Sequence, residues 1–254
     1  MNQPALDLIL PFPEWVEQVN AGFTARVGGL SSGAYSQLNL GFRCGDNADI
    51  VEQNWEVLRS QTGLIGKPLV LPKMVHSDRI VDVDKLTSGD SRIEPDETDA
   101  IYSRKPDRIL AVTMADCLTA LIYDPYLKTI AAVHAGWRGT RLGILGKTLN
   151  HLTKQGFINP KNTCVAFGPC LRPDSLEMGE EVAAQLNADF INRKNGKCYF
   201  DMPASNRSQA MAEGILPENL RDMGGCTFQN PARYFSYRRD GKASGRLAAF
   251  ISLL

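Results

Sequence analysis

Apolar positions along this chain recur at two different periods, and the two are interleaved without strict order. Through the centre of the chain, short runs at 68–75, 80–84, 99–103, 109–113, 118–123 and 129–134, several of them rich in Val, Ile and Thr, predict strands. Two of them are almost uniformly apolar, as strands buried on both faces are. An earlier strand at 21–26 leads into Gly28-Gly29-Leu30-Ser31-Ser32-Gly33 and Ser36-Gln37-Leu38-Asn39-Leu40-Gly41. That is loop chemistry, with glycine supplying positive φ.

Helical spacing begins at Asp46. Asp46 or Asn47 can cap, Val51, Trp55 and Leu58 share a face, and Gly63 can end the helix. A second helix is predicted over 140–155, where Leu142, Leu145, Leu149 and Leu152 repeat at three- and four-residue steps. Beyond it, strand signals at 163–167, 198–201, 234–237 and 247–253 mix with helical ones at 175–190 and 203–215, the last opened by Pro203. This irregular order predicts an α+β fold with mixed β-sheets packed together and flanked by helices, not a doubly wound parallel sheet.

Length and composition narrow the function. The 254 residues carry no repeat, low-complexity tract or long linker, so 1–254 reads as a single domain. Lys and Arg total 28, matched by 28 Asp and Glu, which leaves no electrostatic footprint for nucleic acid or an anionic membrane. Met1 to Ala5 lack a positive leader region, Leu8 to Pro13 is too short for a signal core, and no apolar run of about 18 residues exists. The six cysteines are scattered and fit a reduced, cytoplasmic chain, each packing as a small hydrophobe unless chemistry claims it. Either a monomer or a homodimer is compatible with this pattern.

Chemistry enters where polar groups interrupt apolar strands, because burying an imidazole or thiol beside charge needs a reason. Three interruptions stand out: Met74-Val75-His76-Ser77-Asp78, Thr113-Met114-Ala115-Asp116-Cys117, and Ala131-Ala132-Val133-His134-Ala135-Gly136-Trp137-Arg138-Gly139. His76, Cys117 and His134 form a three-ligand set, and three protein ligands with an open fourth position suit a catalytic zinc. Asp116 could orient a ligand or simply close a turn. The same residues also allow a metal-free site, with Cys117 as nucleophile, His134 as general base and amides near Gly136 stabilising an oxyanion. Copper is a third reading, since two histidines and a cysteine also ligate copper.

In several stretches the chain resembles the bacterial laccase-domain family, also described as polyphenol-oxidase-like proteins or peptidoglycan editing factors and regarded as multifunctional purine nucleoside enzymes. They are Thr24 to Ser31, Leu38 to Gly41, Cys44 to Asn47, Val75-His76, Thr113 to Leu118, Ala131 to Gly139 (AAVHAGWRG), and Phe235 to Gly241 (FSYRRDG) with Gly245-Arg246. Two departures are visible: Met74-Val75-His76-Ser77 stands where the family usually has Gln-Val-His-Gly, and Gly168-Pro169-Cys170-Leu171-Arg172-Pro173 replaces Gly-Pro-Ala-Ile-Gly-Pro.

The resemblance implies a metal at His76, Cys117 and His134, zinc with copper as the alternative. It implies phosphorolysis of adenosine, inosine and methylthioadenosine, and deamination of adenosine. It further implies a single α+β domain with mixed sheets, similar to certain deamidating toxins. Purine nucleosides and phosphate are then the partners. Cys117, His134, His76 and Arg238 are the expected catalytic group, Arg26, Asn39, Arg138 and Arg239 the substrate- and phosphate-binding group, and Asp116 the support behind them. Guanidinium groups suit phosphate because they bind it through paired hydrogen bonds.

Two rival functions remain: a copper-dependent polyphenol oxidase, and a metal-free Cys/His hydrolase or binding protein acting on peptidoglycan precursors. The oxidase meets a counting problem, since a laccase needs a trinuclear copper cluster held mainly by imidazoles. His76, His134 and His151 are the only histidines, and His151 reads as a surface position on its helix.

Overall fold

The computed structural model describes residues 5–86 and 91–254; the leader reading at Met1 to Pro4 lies outside them. Two six-stranded sheets stack face to face. One runs Leu8–Ile9, Val19–Thr24, Leu247–Leu253, Ile109–Met114, Leu69–Val70, Arg92–Ile93 from edge to edge. The other runs Leu220–Asp222, Cys164–Phe167, Leu118–Asp124, Thr129–Ala135, Ala100–Ser103, Ile80–Asp82. Both are mixed: Leu69–Val70 pairs in parallel with Ile109–Met114, while Leu118–Asp124 and Thr129–Ala135 are antiparallel. The fold is α+β.

Alternation along each central strand explains the continuous apolar runs. Leu121 and Tyr123 meet Val112, Met114 and Ile251 between the sheets. Leu118, Ala120 and Ile122 face the opposite way, against Leu145, Leu149 and Leu152 of the helix Ile144–Lys154. The outer face of the first sheet packs on Val51, Trp55 and Leu58 of the helix Ala48–Thr62. A strand covered on both faces has no exposed positions to alternate with, and every residue of Leu118–Asp124 and Thr129–Ala135 is buried.

The first helix follows its local signals. Asn47 caps it by accepting from the amides of Asp49 and Ile50, and Gly63 closes it at φ 71°. Elsewhere tertiary structure overrides the pattern. The helix expected over 140–155 is two helices, Trp137–Leu142 and Ile144–Lys154, because Gly143 adopts φ 77° and its amide closes the first on Gly139 and Thr140. Over 175–190 only Glu180–Ala183 is α-helical, since Glu177 and Met178 pair as strand with Tyr199 and Cys198. The segment 234–237 is no strand: Ser236 there caps the short helix Tyr237–Asp240 by accepting from the Arg239 amide. Of 68–75 only Leu69–Val70 is laddered, though the amides of Leu71 and Lys73 still reach the carbonyls of Ile93 and Pro95. His151 is half-buried and not simply a surface residue, its Nε2 lying 3.2 Å from the Tyr102 hydroxyl. No helix among the described residues is long and apolar enough to cross a membrane.

Candidate metal centre

Strand register brings the polar interruptions together at one end of the second sheet. Leu118 pairs with Ala135, so the preceding Cys117 lies opposite Gly136. Ala100 pairs with Val133, so the preceding Asp99 lies opposite His134 and accepts its amide at 2.7 Å. His76 enters from the segment before Ile80–Asp82, the strand beyond Ala100–Ser103.

The ligand atoms of His76, Cys117 and His134 all lie within 4.8 Å of one another, the one such trio among the described residues. Cys117 Sγ is 3.7 Å from His76 Nε2. Zinc bonds of about 2.1 Å to nitrogen and 2.3 Å to sulfur at a tetrahedral angle put those atoms about 3.6 Å apart, so the donor set and its spacing fit such an ion. Gly136 makes the convergence possible: a Cβ there would stand 2.8 Å from Cys117 Sγ and 2.9 Å from His76 Cδ2.

Asp99, absent from the sequence-based set, is fully buried against both histidines. Its carboxylate accepts from His134 Nδ1 at 2.9 Å and from the successive amides of Val75, His76 and Ser77. Ser77 Oγ adds a bond at 2.8 Å. His76 itself holds φ 63°, a left-handed conformation that lets the three amides point at one anion. Burial would push the Asp99 carboxyl up, but its bonds to His134 and Ser77 prevail and bring it down to about 2. Burial likewise raises the Cys117 thiol, yet His134 and His76 outweigh it and pull it to about 6. His134 moves the other way: burial disfavours its charge, and the Cys117 sulfur and Asp99 more than restore it. The Cys117 thiol and the His134 imidazole thus favour each other's charged form.

The trio opens into a cavity of about 730 Å³. Its apolar wall includes Leu71, Met74, Trp137, Leu171, Leu176 and Met202, and its cations are Arg43, Lys73, Arg138, Arg238 and Arg246. Arg43 and Lys73 are paired with Glu94 and Asp96. Arg138 stacks on Trp137, Arg238 reaches the Glu177 carbonyl, and Arg246 reaches the carbonyls of Ser244 and Gly245. Among the described residues these last three arginines form no ion pair, so three guanidinium groups without a carboxylate partner line the cavity.

The other sequence-derived positions stand behind this wall. Arg26 lies over the Phe235 ring and donates to the carbonyls of Ser36 and Pro231. Arg239 is bound to Asp240 and to the carbonyls of Thr227, Phe228 and Tyr234. Asn39 is fully buried, its Oδ1 accepting from the amides of Gly41 and Arg246. All three shape loops and do not line the cavity, whereas Arg138 and Arg238 do. Asp116 lines it, but its carboxylate holds Thr227 Oγ1 and the Arg238 amide and touches neither histidine. Arg43, Lys73 and Arg246 were missed; Arg246 sits in a matched motif, while nothing local marks the other two.

A family model described as multi-copper polyphenol oxidoreductase laccase matches residues 20–254. The chain is 36% identical over 251 residues to a purine nucleoside phosphorylase, YfiH, of Escherichia coli strain K12, covering 95% of this chain and 98% of that one. It is 31% identical over 249 residues to an adenosine deaminase, RL5, from an unknown prokaryotic organism, covering 93% and 95%. The solved structure of YlmD from Geobacillus stearothermophilus superposes with a TM-score of 0.91 at 27% identity, covering 99% of this chain and 98% of that one.

Proposed function

We infer that this chain, which belongs to the multi-copper polyphenol oxidoreductase laccase family, is a zinc-dependent purine nucleoside enzyme and not a phenol oxidase. The reactions assigned to it are phosphorolysis of adenosine, inosine or methylthioadenosine to base and pentose 1-phosphate, and hydrolysis of adenosine to inosine and ammonia. The observation that carries this reading is the converged trio His76, Cys117 and His134 opening on a cavity lined by three arginines that form no ion pair among the described residues. Relatives named purine nucleoside phosphorylase and adenosine deaminase, matched over nearly their whole length, support it. The family description alone points to copper, but three histidines in the whole chain, one of them engaged with Tyr102, are too few for a multicopper cluster.

His76, Cys117 and His134 would hold the ion, which when bound supplies a Lewis acid and a water of lowered pKa. Arg138, Arg238 and Arg246 hold the attacking phosphate and offset charge as the glycosidic bond breaks. The apolar wall of Leu171, Leu176, Met202 and Trp137 takes the base or the thioether of methylthioadenosine and keeps bulk water out. Asp116, with both oxygens engaged in positioning, fixes the Arg238 backbone relative to Cys117.

Incubation of zinc-loaded protein with adenosine, with and without phosphate, tests this. Adenine and ribose 1-phosphate should appear only with phosphate, inosine and ammonia without it, and both activities should be lost in Cys117→Ala. A zinc-loaded protein that converts no purine nucleoside sinks the proposal.

A further inference from the structure

We infer that Asp99 is the residue that assembles the ligand set, fixing one histidine through its ring and the other through its backbone. The inference rests on the proposed metal reading of the trio. Its Oδ1 joins the two: it accepts from His134 Nδ1 at 2.9 Å and from the His76 amide at 3.0 Å. Its Oδ2 takes the amides of Val75 and Ser77 and the Ser77 hydroxyl, at 3.2, 2.7 and 2.8 Å. Its own carbonyl binds the His134 amide. A single side chain with no solvent exposure therefore sets the His134 tautomer and the backbone of the segment that carries His76.

The chemistry follows from what an imidazole must do to bind a metal. With Nδ1–H donated to Asp99, the unprotonated lone pair of His134 sits on Nε2, the nitrogen free to face Cys117 and His76. Five donors converge on Asp99, and only a carboxylate has acceptors for all of them. In Asp99→Asn an amide NH2 must face either His134 Nδ1 and the His76 amide, or the amides of Val75 and Ser77. The first arrangement forces the His134 proton onto Nε2, and the second pushes the His76 segment away. Either way a ligand is lost or displaced. The Ser77 hydroxyl contributes one of the five bonds without touching a ligand.

The test is zinc affinity of the full chain, stripped of metal and titrated with zinc against a chromophoric chelator. Asp99→Asn should weaken binding by about 10–100-fold, and Ser77→Ala by less than about tenfold. An Asp99→Asn protein that binds zinc as tightly as the unmodified chain overturns the assignment. Should that variant fail to fold, long-range 1H–15N spectra of the zinc-loaded unmodified protein decide the matter. Protonation of His134 on Nδ1 supports the assignment, and protonation on Nε2 overturns it. The metal reading fails separately, if the unmodified chain binds no zinc or if Cys117→Ser leaves its affinity unchanged. Tight, Asp99-dependent binding without nucleoside turnover would sink only the proposed substrates.

Discussion

The backbone amide of Arg238 donates to the Asp116 carboxylate at 2.6 Å, across 122 positions of chain. The other carboxylate oxygen accepts from Thr227 Oγ1 at 2.7 Å, and Asp116 itself holds φ 92° beside Cys117. One strand-end residue thereby ties the backbone of the FSYRRDG segment to the neighbour of the candidate metal ligand Cys117.

Asp116→Asn should therefore separate turnover from metal binding. An amide keeps one acceptor of two, and the stranded buried partner costs about 1–3 kcal/mol of stability. Denaturant unfolding should show that loss, and kcat/KM for nucleoside phosphorolysis should fall while zinc affinity stays within a few-fold. Unchanged turnover in the folded variant would show that the tether does not position Arg238.

Gly136→Ala should act on the metal and spare the fold. Gly136 has φ −62°, open to any residue, so the only obstacle is the clash of its Cβ with Cys117 Sγ and His76 Cδ2. Zinc affinity is expected to drop by about tenfold or more, the scale seen when ligands are displaced. Gly146→Ala is the contrast: it lies inside the helix Ile144–Lys154, and its Cβ would meet Gln209 at an ordinary 3.6 Å. That change should raise stability by about 0.5–1 kcal/mol and leave zinc binding alone. Equal zinc affinities of the two variants would refute the steric account.

Removal of the ion should expose the thiolate. Cys117 and Cys226 are half-buried, whereas Cys44, Cys164, Cys170 and Cys198 are buried. An alkylating reagent at neutral pH should modify Cys117 rapidly in chelator-stripped protein and slowly once zinc is restored, read by peptide mass mapping. Zinc at a hundredfold over its dissociation constant should also add about 2.7 kcal/mol to the unfolding free energy. Alkylation at Cys117 that ignores zinc would count against ligation there.

Acid stability offers a check that does not involve the ligand trio. Burial would raise the Asp222 carboxyl, but the paired Arg172 guanidinium and the Gly224 amide hold it below its ordinary 3.8. A carboxyl depressed by folding contributes stability above its unfolded pKa and loses it as pH falls through the folded value. Urea unfolding should show the unmodified chain more stable than Asp222→Asn at neutral pH, with the gap closing below about pH 4. A gap independent of pH would mean that the ion pair contributes nothing through its charge.

The legible parts of this molecule are those written locally. Asn47 and Gly63 mark the first helix because capping is a matter of adjacent amides, and the helix ends where they say. The polar interruptions at His76, Cys117 and His134 are visible because a polar side chain at the end of an apolar run is locally anomalous, although His76 lies in the segment between Leu69–Val70 and Ile80–Asp82 and not at a strand end. Arg26 and Arg239 show how far that reasoning reaches: both lie in distinctive motifs, yet their guanidinium groups are bound to backbone carbonyls away from the cavity. A motif reports that a residue matters without saying whether it faces a ligand or a loop.

By itself the sequence determined the class of fold, the first helix, the central strands and the three polar interruptions that carry His76, Cys117 and His134, since apolar periodicity, caps and buried polar interruptions are local properties. Only the tertiary structure decided that Asp99 stands opposite His134, that Gly143 splits a helix, and that Arg43, Lys73 and Arg246 join the cavity. Those outcomes depend on strand register and on loops from distant parts of the chain, and register is fixed by pairing between segments that carry no mark of their partner.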